Sequence, residues 1–400
     1  MTLPRACVLL LVCLNVLNEA VGGCILSLKR DFPKTSVVYL RHGRLLSPDA
    51  VTGDVQLRRS ETLQVACPGE QKYIVLSNKT TNHSLLDVKC VSDSLFRASR
   101  LSWIGNFSEI RCNAPPWTSA DEVGGCGAGA KNYRIGYKVS GHLHGLYEAC
   151  FNKDLLSTLY VKQELGPESV YIQSGGRPNF VEQDFFGKVK MSKLYHLTNQ
   201  KARFKQVLGE GKEEEYLTKK QYLTRGHLSP RADHSLLCSQ RASFLYLNTA
   251  PQWRRGNAGD WAALEEALRR RVHSYGRPVT VYTGTFGVST LGDTSSRQQQ
   301  LYLSVDQNNN GILPVPLYYY KVVFDAANNT AAAFVSINSS YYNQTMIEKL
   351  TFCEDICGSR NYSWLRWRSS DGTHSFCCEY HDFVKTVHDL PGLKVEGLFY

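Results

Sequence analysis

The sequence predicts an α+β protein in two parts behind a short leader, and three observations carry that prediction. Residues 24 to 145 hold short β-type runs between Gly, Pro, Asn and Asp clusters, together with five cysteines, the pattern of a small, mainly β domain stapled by disulfides. Residues 146 to 400 combine one strongly signalled amphipathic helix with long apolar strands, which calls for a sheet with helices packed on it. The total of 400 residues exceeds what one average domain needs.

The leader is MTLPRACVLLLVCLNVLNEAVGG, with Arg5, an apolar run from Ala6 to about Leu17, and small residues that suit cleavage near Gly22 or Gly23. It is expected to be a secretory signal over residues 1 to 23, placing the mature chain outside the cell. The run is too short to span a bilayer, and no later stretch approaches the apolar length needed. Of thirteen cysteines, Cys7 and Cys13 leave with the signal. The rest should form disulfides, and their odd number leaves one free or paired between chains; no spacing suits a tetrahedral zinc site. Seven Asn-X-Ser/Thr triplets start at Asn78, Asn82, Asn106, Asn328, Asn338, Asn343 and Asn361, several of which should carry glycans. The net charge of +10 is dispersed rather than gathered in a tail. This favours a folded basic surface and a polyanionic partner, with nucleic acid, sulfated glycan and anionic membrane all compatible.

SVVYL, YIVLS and YRIGYKVS are the clearest strands of the first part. GGCGAGAKN, residues 124 to 132, lacks the Gly-Lys-Ser/Thr ending of a phosphate loop and reads as a turn held by Cys126. KVKMSKLYHLTNQKARFKQVL, residues 188 to 208, reads as two strands turning at Thr198-Asn199-Gln200, and GEGKEEEYLTKKQ after it as a charged, solvated loop. In NAGDWAALEEALRRRVHSYG, residues 257 to 276, Trp261, Leu264, Leu268 and Val272 form one apolar stripe. Asn257 suits the cap, Asp260 the positive end, Arg269 to Arg271 the negative end, and Gly276 the stop. PVTVYTGTF (278 to 286) and ILPVPLYYYKVVFD (312 to 325) should be central strands, and the cysteine-dense segment from CEDIC to SFCCEYHDF should wrap the surface.

The stretch YLTRGHLSPRADH, residues 222 to 234, sets Arg225-Gly226-His227 at the end of an apolar run, before Ser229-Pro230. A lone histidine is ordinarily a satisfied structural residue, and an asparagine at a helix start is ordinarily a cap. Here LNTAPQWRRGNAGDW follows, bringing Asn248, Gln252 and Asn257 into one Arg-rich loop. Glu265 lies eight positions beyond Asn257, about 80° around a helix and roughly 12 Å along it, close enough to meet the hydration shell of an ion held by Asn257 but not its inner shell. The plainer reading pairs Glu265 with Arg269 on the surface, worth a few tenths of a kcal/mol. Hydrolysing a phosphodiester needs a base, positive charge on the phosphoryl oxygens and a Lewis acid near the leaving oxygen. His227 suits the first, Arg225 the second, and the hard oxygen of Asn257 could hold Mg²⁺ for the third.

TRGHLSP, NTAPQ and GNAGDWAALEE, in this order and with 21, 30 and 38 residues from His227 to Asn248, Asn257 and Glu265, resemble the DNA/RNA non-specific endonuclease family, whose motif is D-R-G-H. The resemblance covers about residues 150 to 390 and is closest to a secreted arthropod branch. It implies a ββα-metal nuclease domain with a central antiparallel sheet and flanking helices. It implies His227 as the base that activates water, Arg225 as stabiliser and binder of the phosphoryl group, and Asn257 as the sole direct protein ligand of Mg²⁺, with Mn²⁺ as a substitute. Glu265 would order metal-bound water, Asn248 would support the loop and bind substrate, and Arg269 would stabilise the transition state and bind substrate. The family's opening acid is Thr224 here, which removes a negative charge beside the site.

The expected function is therefore a secreted, Mg²⁺-dependent, sugar-non-specific endonuclease that cuts DNA and RNA, double-stranded RNA included, to 5′-phosphate ends. Its partners would be nucleic acids held through backbone phosphates, without membrane attachment. The alternatives are a catalytically weak or inactive nuclease-fold protein that binds nucleic acid or another polyanion, and a recognition glycoprotein in which the triplet is incidental.

Overall fold

The computed structural model describes residues 22–127, 129–367 and 373–400, so nearly all of the expected leader lies outside the described residues. The first part is built as expected from short strands. A six-stranded sheet includes Val38–Arg41, Thr62–Ala66, Leu85–Ser92 and Leu95–Ala98, and a three-stranded sheet includes Ile74–Leu76 and Ile110–Cys112. Alternation along Leu85–Ser92 sends Leu86, Val88 and Cys90 inward while Asp87 and Lys89 face water, the pattern of a sheet with one solvated face. Disulfides Cys24–Cys90 and Cys67–Cys112 staple this core.

The second part rests on a long sheet of strands β1 (Ser119–Gly125), β2 (Lys131–Val139), β3 (His142–Asn152), β4 (Ser157–Leu165), β5 (Val279–Val288), β6 (Pro316–Asp325), β7 (Thr330–Ile337) and β8 (Ser375–Cys378). They pair antiparallel in that order, and Gly397–Leu398 adds to β7 in parallel. The division expected at residue 145/146 falls inside β3, so this sheet takes in YRIGYKVS and the Cys126 turn. That turn is tied to β3 by Cys126–Cys150. Alternating strands look alike in either sheet, and only pairing decides which they join. The two apolar segments expected to be central, β5 and β6, do lie side by side in the middle.

Four local expectations are corrected. Residues 188 to 208 form Met191–Leu194 and a helix, α1 (Leu197–Leu208), rather than a hairpin. Gln200, Phe204 and Leu208 recur every fourth residue and are buried, and Lys, Arg, Gln, Ala and Leu favour a helix. The charged loop after it contains a short helix, Lys212–Tyr216, whose first turn carries three glutamates. The helix expected at 257 to 276 breaks into α2 (Arg254–Ala258) and α3 (Asp260–Tyr275) at Gly259, where φ is −104° and ψ −116°. Asn257 therefore sits inside α2 and caps nothing, and Arg269 to Arg271 precede the last turn, whose basic residue is His273. The predicted stripe of Trp261, Leu264, Leu268 and Val272 is buried, and Gly276 ends the helix at φ 75°. Finally, the C-terminal cysteines do not simply wrap the surface. β8 is buried along its whole length against β7, and Cys353–Cys378 and Cys357–Cys377 hold it there.

The odd cysteine is Cys238, free and buried, which rules out pairing between folded chains. Among the seven triplets, Asn338 is buried and hydrogen-bonded to backbone on both sides of its amide, so that triplet marks no surface. The two parts are joined by direct hydrogen bonds: Tyr171 to the Val51 carbonyl at 2.5 Å and Gln173 to the Pro33 carbonyl at 2.8 Å.

Candidate active site

The strand Leu223–His227 pairs antiparallel with Thr249–Trp253, setting His227 opposite Thr249 and Arg225 opposite Pro251. This is a two-stranded sheet, so its outer backbone groups need partners from elsewhere. Buried carboxamides supply them. Gln200 on α1 donates to the Leu223 carbonyl at 2.8 Å and accepts from the Leu223 amide at 2.9 Å. Asn338 accepts from the Trp253 amide and donates to the Pro251 carbonyl, each at 3.1 Å. Asn248 accepts from the Ser229 amide at 2.7 Å and donates to the carbonyls of Ser229 and Ser243. Gly226 is required by space, because a Cβ there would stand 2.4 Å from Gln252 Oε1 and 2.6 Å from the Tyr319 hydroxyl.

Arg225 and His227, two residues apart, project to one face of the strand. They line a cavity of about 800 Å³ with Arg177, Phe180, Thr224, Tyr246, Arg254 and Asn257, and among the described residues no Asp or Glu contributes to its walls. The His227 ring lies 5.1 Å from both Phe180 and Phe244, and its enclosed Nε2 has no hydrogen-bond partner among the described residues. Burial, reinforced by the positive charges of Arg177, His234, Arg225 and Arg231, pushes its pKa down to about 3. The imidazole is thus neutral and can accept a proton. The Arg225 guanidinium is set against Phe180 at 5.1 Å and Tyr195 at 5.6 Å, and donates to the Tyr246 hydroxyl at 3.3 Å.

Asn257 meets the motif through Thr224. The threonine hydroxyl donates to the Gln252 carbonyl at 2.8 Å, so it can only accept from Asn257, whose Nδ2 approaches at 2.9 Å. The amide oxygen is the atom left over, on a residue that lines the cavity. One neutral, hard oxygen on the cavity wall fits a small divalent cation that keeps most of its own water.

The other expected site residues stand differently. Asn248 is 0% exposed and engaged on both sides of its amide, so the expectation that it binds substrate is corrected; it holds the loop. Arg269 does not pair with Glu265 across the surface. It bonds Asp233 at 2.9 Å with its side chain only 12% exposed, and it is not part of the cavity lining. Glu265 is partly buried and is not part of the cavity lining. Burial pushes its carboxyl up to about 7, opposed by Lys321 and Arg269 and aided by Asp233.

Sequence reasoning missed Arg177, Phe180, Tyr195, Phe244 and Tyr246, which build the walls around the pair. The one hint was SGGRPNF, residues 174 to 180, where an arginine and an aromatic follow a glycine pair.

The DNA/RNA non-specific endonuclease family matches residues 128–382. The chain is 29% identical over 397 residues to the salivary endonuclease of Lutzomyia longipalpis, covering 94% of this chain and 88% of that one. It is 27% identical over 277 residues to salivary protein Tsal2A of Glossina morsitans morsitans, covering 66% of each. A chain of the solved EndoG/EndoGI complex is 20% identical, covers 51% of this chain and 76% of that one, and superposes with a TM-score of 0.31.

Proposed function

The protein belongs to the DNA/RNA non-specific endonuclease family and is a nuclease, and on that premise we propose that it is a secreted, Mg²⁺-dependent enzyme cutting both DNA and RNA. The observation that carries this reading is the Nε2 of a neutral His227, unpartnered among the described residues, in one cavity with Arg225 and Asn257. His227 takes the proton of the attacking water as its oxygen bonds to phosphorus. The bond from phosphorus to the 3′ oxygen breaks, and the departing alkoxide takes a proton from solvent water, leaving a 3′-hydroxyl and a 5′-phosphate. Arg225, held in place by two aromatic faces and the Tyr246 hydroxyl, neutralises charge on the phosphoryl oxygens.

Asn257 would hold the metal, and Glu265 would order metal-bound water. Bound Mg²⁺ supplies Lewis acidity at the leaving oxygen, and Mn²⁺ can stand in for it. The arginines of the cavity wall suit backbone phosphates, and backbone recognition supports indifference to DNA or RNA. Arg269 acts at one remove, fixing Asp233. Secretion is supported by the leader, by five disulfides and by the salivary origin of both relatives.

Supercoiled plasmid and long double-stranded RNA, incubated with the protein with and without EDTA, test the proposal. Cleavage of both is expected with Mg²⁺ and none with EDTA. His227→Ala should cost about 10² to 10⁴ in rate with folding intact, and Asn257→Ala should abolish the metal-dependent reaction without destabilising α3. Binding without cutting would overturn the proposal.

A further inference from the structure

The catalytic cavity does not end at Arg177. A second cleft, of about 380 Å³, shares Arg177 and Pro178 with it and is bounded by Lys34, Arg231 and Arg241. A third, of about 410 Å³, shares Asn179 and Phe244 with the cavity and Arg241 with the second cleft, and is bounded by Lys72 and Trp117. Among the described residues no Asp or Glu lines any of the three. Arg231 is held by neutral groups, Gln240 Oε1 at 3.0 Å and the Gly175 carbonyl at 2.7 Å, which position its charge without cancelling it. Lys34, Lys72 and Trp117 come from the N-terminal β domain and precede the residues matched by the family, 128–382. The facing cations come from the nuclease domain.

Trp117 is the second observation. Its indole is 54% exposed at the rim of this basic cleft, with the Lys72 ammonium 5.6 Å from the ring centroid. Its backbone is pinned by a 2.8 Å bond from its amide to the Pro68 carbonyl. The cleft wall is also fixed, because Gln183 donates across it to the Thr118 carbonyl at 2.8 Å. Cations with an interleaved exposed aromatic are what an unpaired strand requires: charge for phosphates and a flat face for a base. A paired duplex offers no free base face, and clefts of these volumes hold short lengths of single strand.

We propose that the N-terminal β domain forms the far wall of the substrate groove. An unpaired nucleic-acid strand leaving the catalytic cavity crosses Arg177, sets its phosphates against Lys34, Arg231 and Arg241, and stacks one base on Trp117. This rests on the nuclease reading of the cavity.

The test is fluorescence anisotropy of the full chain in EDTA with a labelled single-stranded dodecanucleotide, and with a dinucleotide that fills only the catalytic cavity. Trp117→Ala should weaken the dodecanucleotide by about 5- to 150-fold. Lys34→Ala with Arg241→Ala should lower the slope of log Kd against log salt by about 1.4. Both should leave the dinucleotide's affinity and the unfolding midpoint unchanged. Equal loss on both lengths, no loss on either, or a heparin fragment of matching charge bound as tightly and with the same sensitivity to Trp117→Ala would overturn the proposal. Failure of the nuclease reading looks different: the unaltered protein would bind the strand yet leave it uncut when Mg²⁺ is added, and the length contrast would still be readable.

Discussion

Thr224 stands where the family motif opens with an acid, and its replacement by valine isolates what its hydroxyl does. In the structure that hydroxyl gives its proton to the Gln252 carbonyl at 2.8 Å and accepts from Asn257 Nδ2 at 2.9 Å. Valine keeps the volume and loses both bonds. The Asn257 amide then has no group to tell its nitrogen from its oxygen, so the ligand oxygen is no longer held ready. A hydrogen bond of this kind contributes about 0.5 to 1.5 kcal/mol net, which converts to a roughly 2- to 12-fold higher Mg²⁺ concentration for half-maximal activity. The rate at saturating metal should change little, because neither His227 nor Arg225 is touched. Thr224→Ser, which keeps the hydroxyl, should behave as the unaltered protein. The assay is plasmid nicking titrated with Mg²⁺ for the three proteins. Superimposable titrations for Thr and Val, or a lost maximal rate with unchanged metal demand, would refute the argument.

Four further outcomes are expected. With His227 pushed down to about 3, the acid limb of kcat/KM should lie well below the ordinary 6.5, and Arg177→Ala, by removing a charge that disfavours the imidazolium, should move it upward; a limb at or above 6.5 in the unaltered protein would refute this. The same depression means the unfolded chain takes the proton first, so folded-state stability should fall as pH drops from 6.5 toward the folded value, visible as a falling unfolding midpoint. Gly226→Ala should cost about 1 to 3 kcal/mol in denaturant unfolding, since its Cβ meets the buried Gln252 and Tyr319. Cys238 should resist thiol reagents in the native protein, because burial pushes its thiol up to about 11, and a single thiol should titrate once the chain is unfolded with its disulfides intact.

Local chemistry was legible before any coordinates. The Arg-Gly-His triplet, the later asparagine and the apolar stripe of α3 are short strings, and each residue's donor, acceptor or charge is its own property. Alternation along Leu85–Ser92 and the branched, aromatic runs of β5 and β6 also announce themselves, because burial on one or both faces leaves a periodic trace. Errors came where period and partner disagree. Lys188 to Leu208 could be segmented as two short strands, and only the burial of Gln200, Phe204 and Leu208 against the rest of the chain selects the helix.

The division between the two parts failed for a related reason. Nothing within His142–Asn152 says which part it belongs to: its own partners β2 and β4 are its neighbours in sequence, and what joins them to the second part is the pairing of β4 with Val279–Val288, more than a hundred residues on. The roles of Asn248, Asn257 and Arg269 likewise turned on neighbours. An asparagine may cap, ligate or brace a loop with the same carboxamide, and the backbone break at Gly259 removed Asn257 from the cap. What the sequence determined by itself was therefore the inventory of reactive groups. What the tertiary structure decided was which of them face the cavity and which are consumed as internal hydrogen bonds, because a polar group withdrawn from water must satisfy itself on whatever the fold brings within about 3 Å.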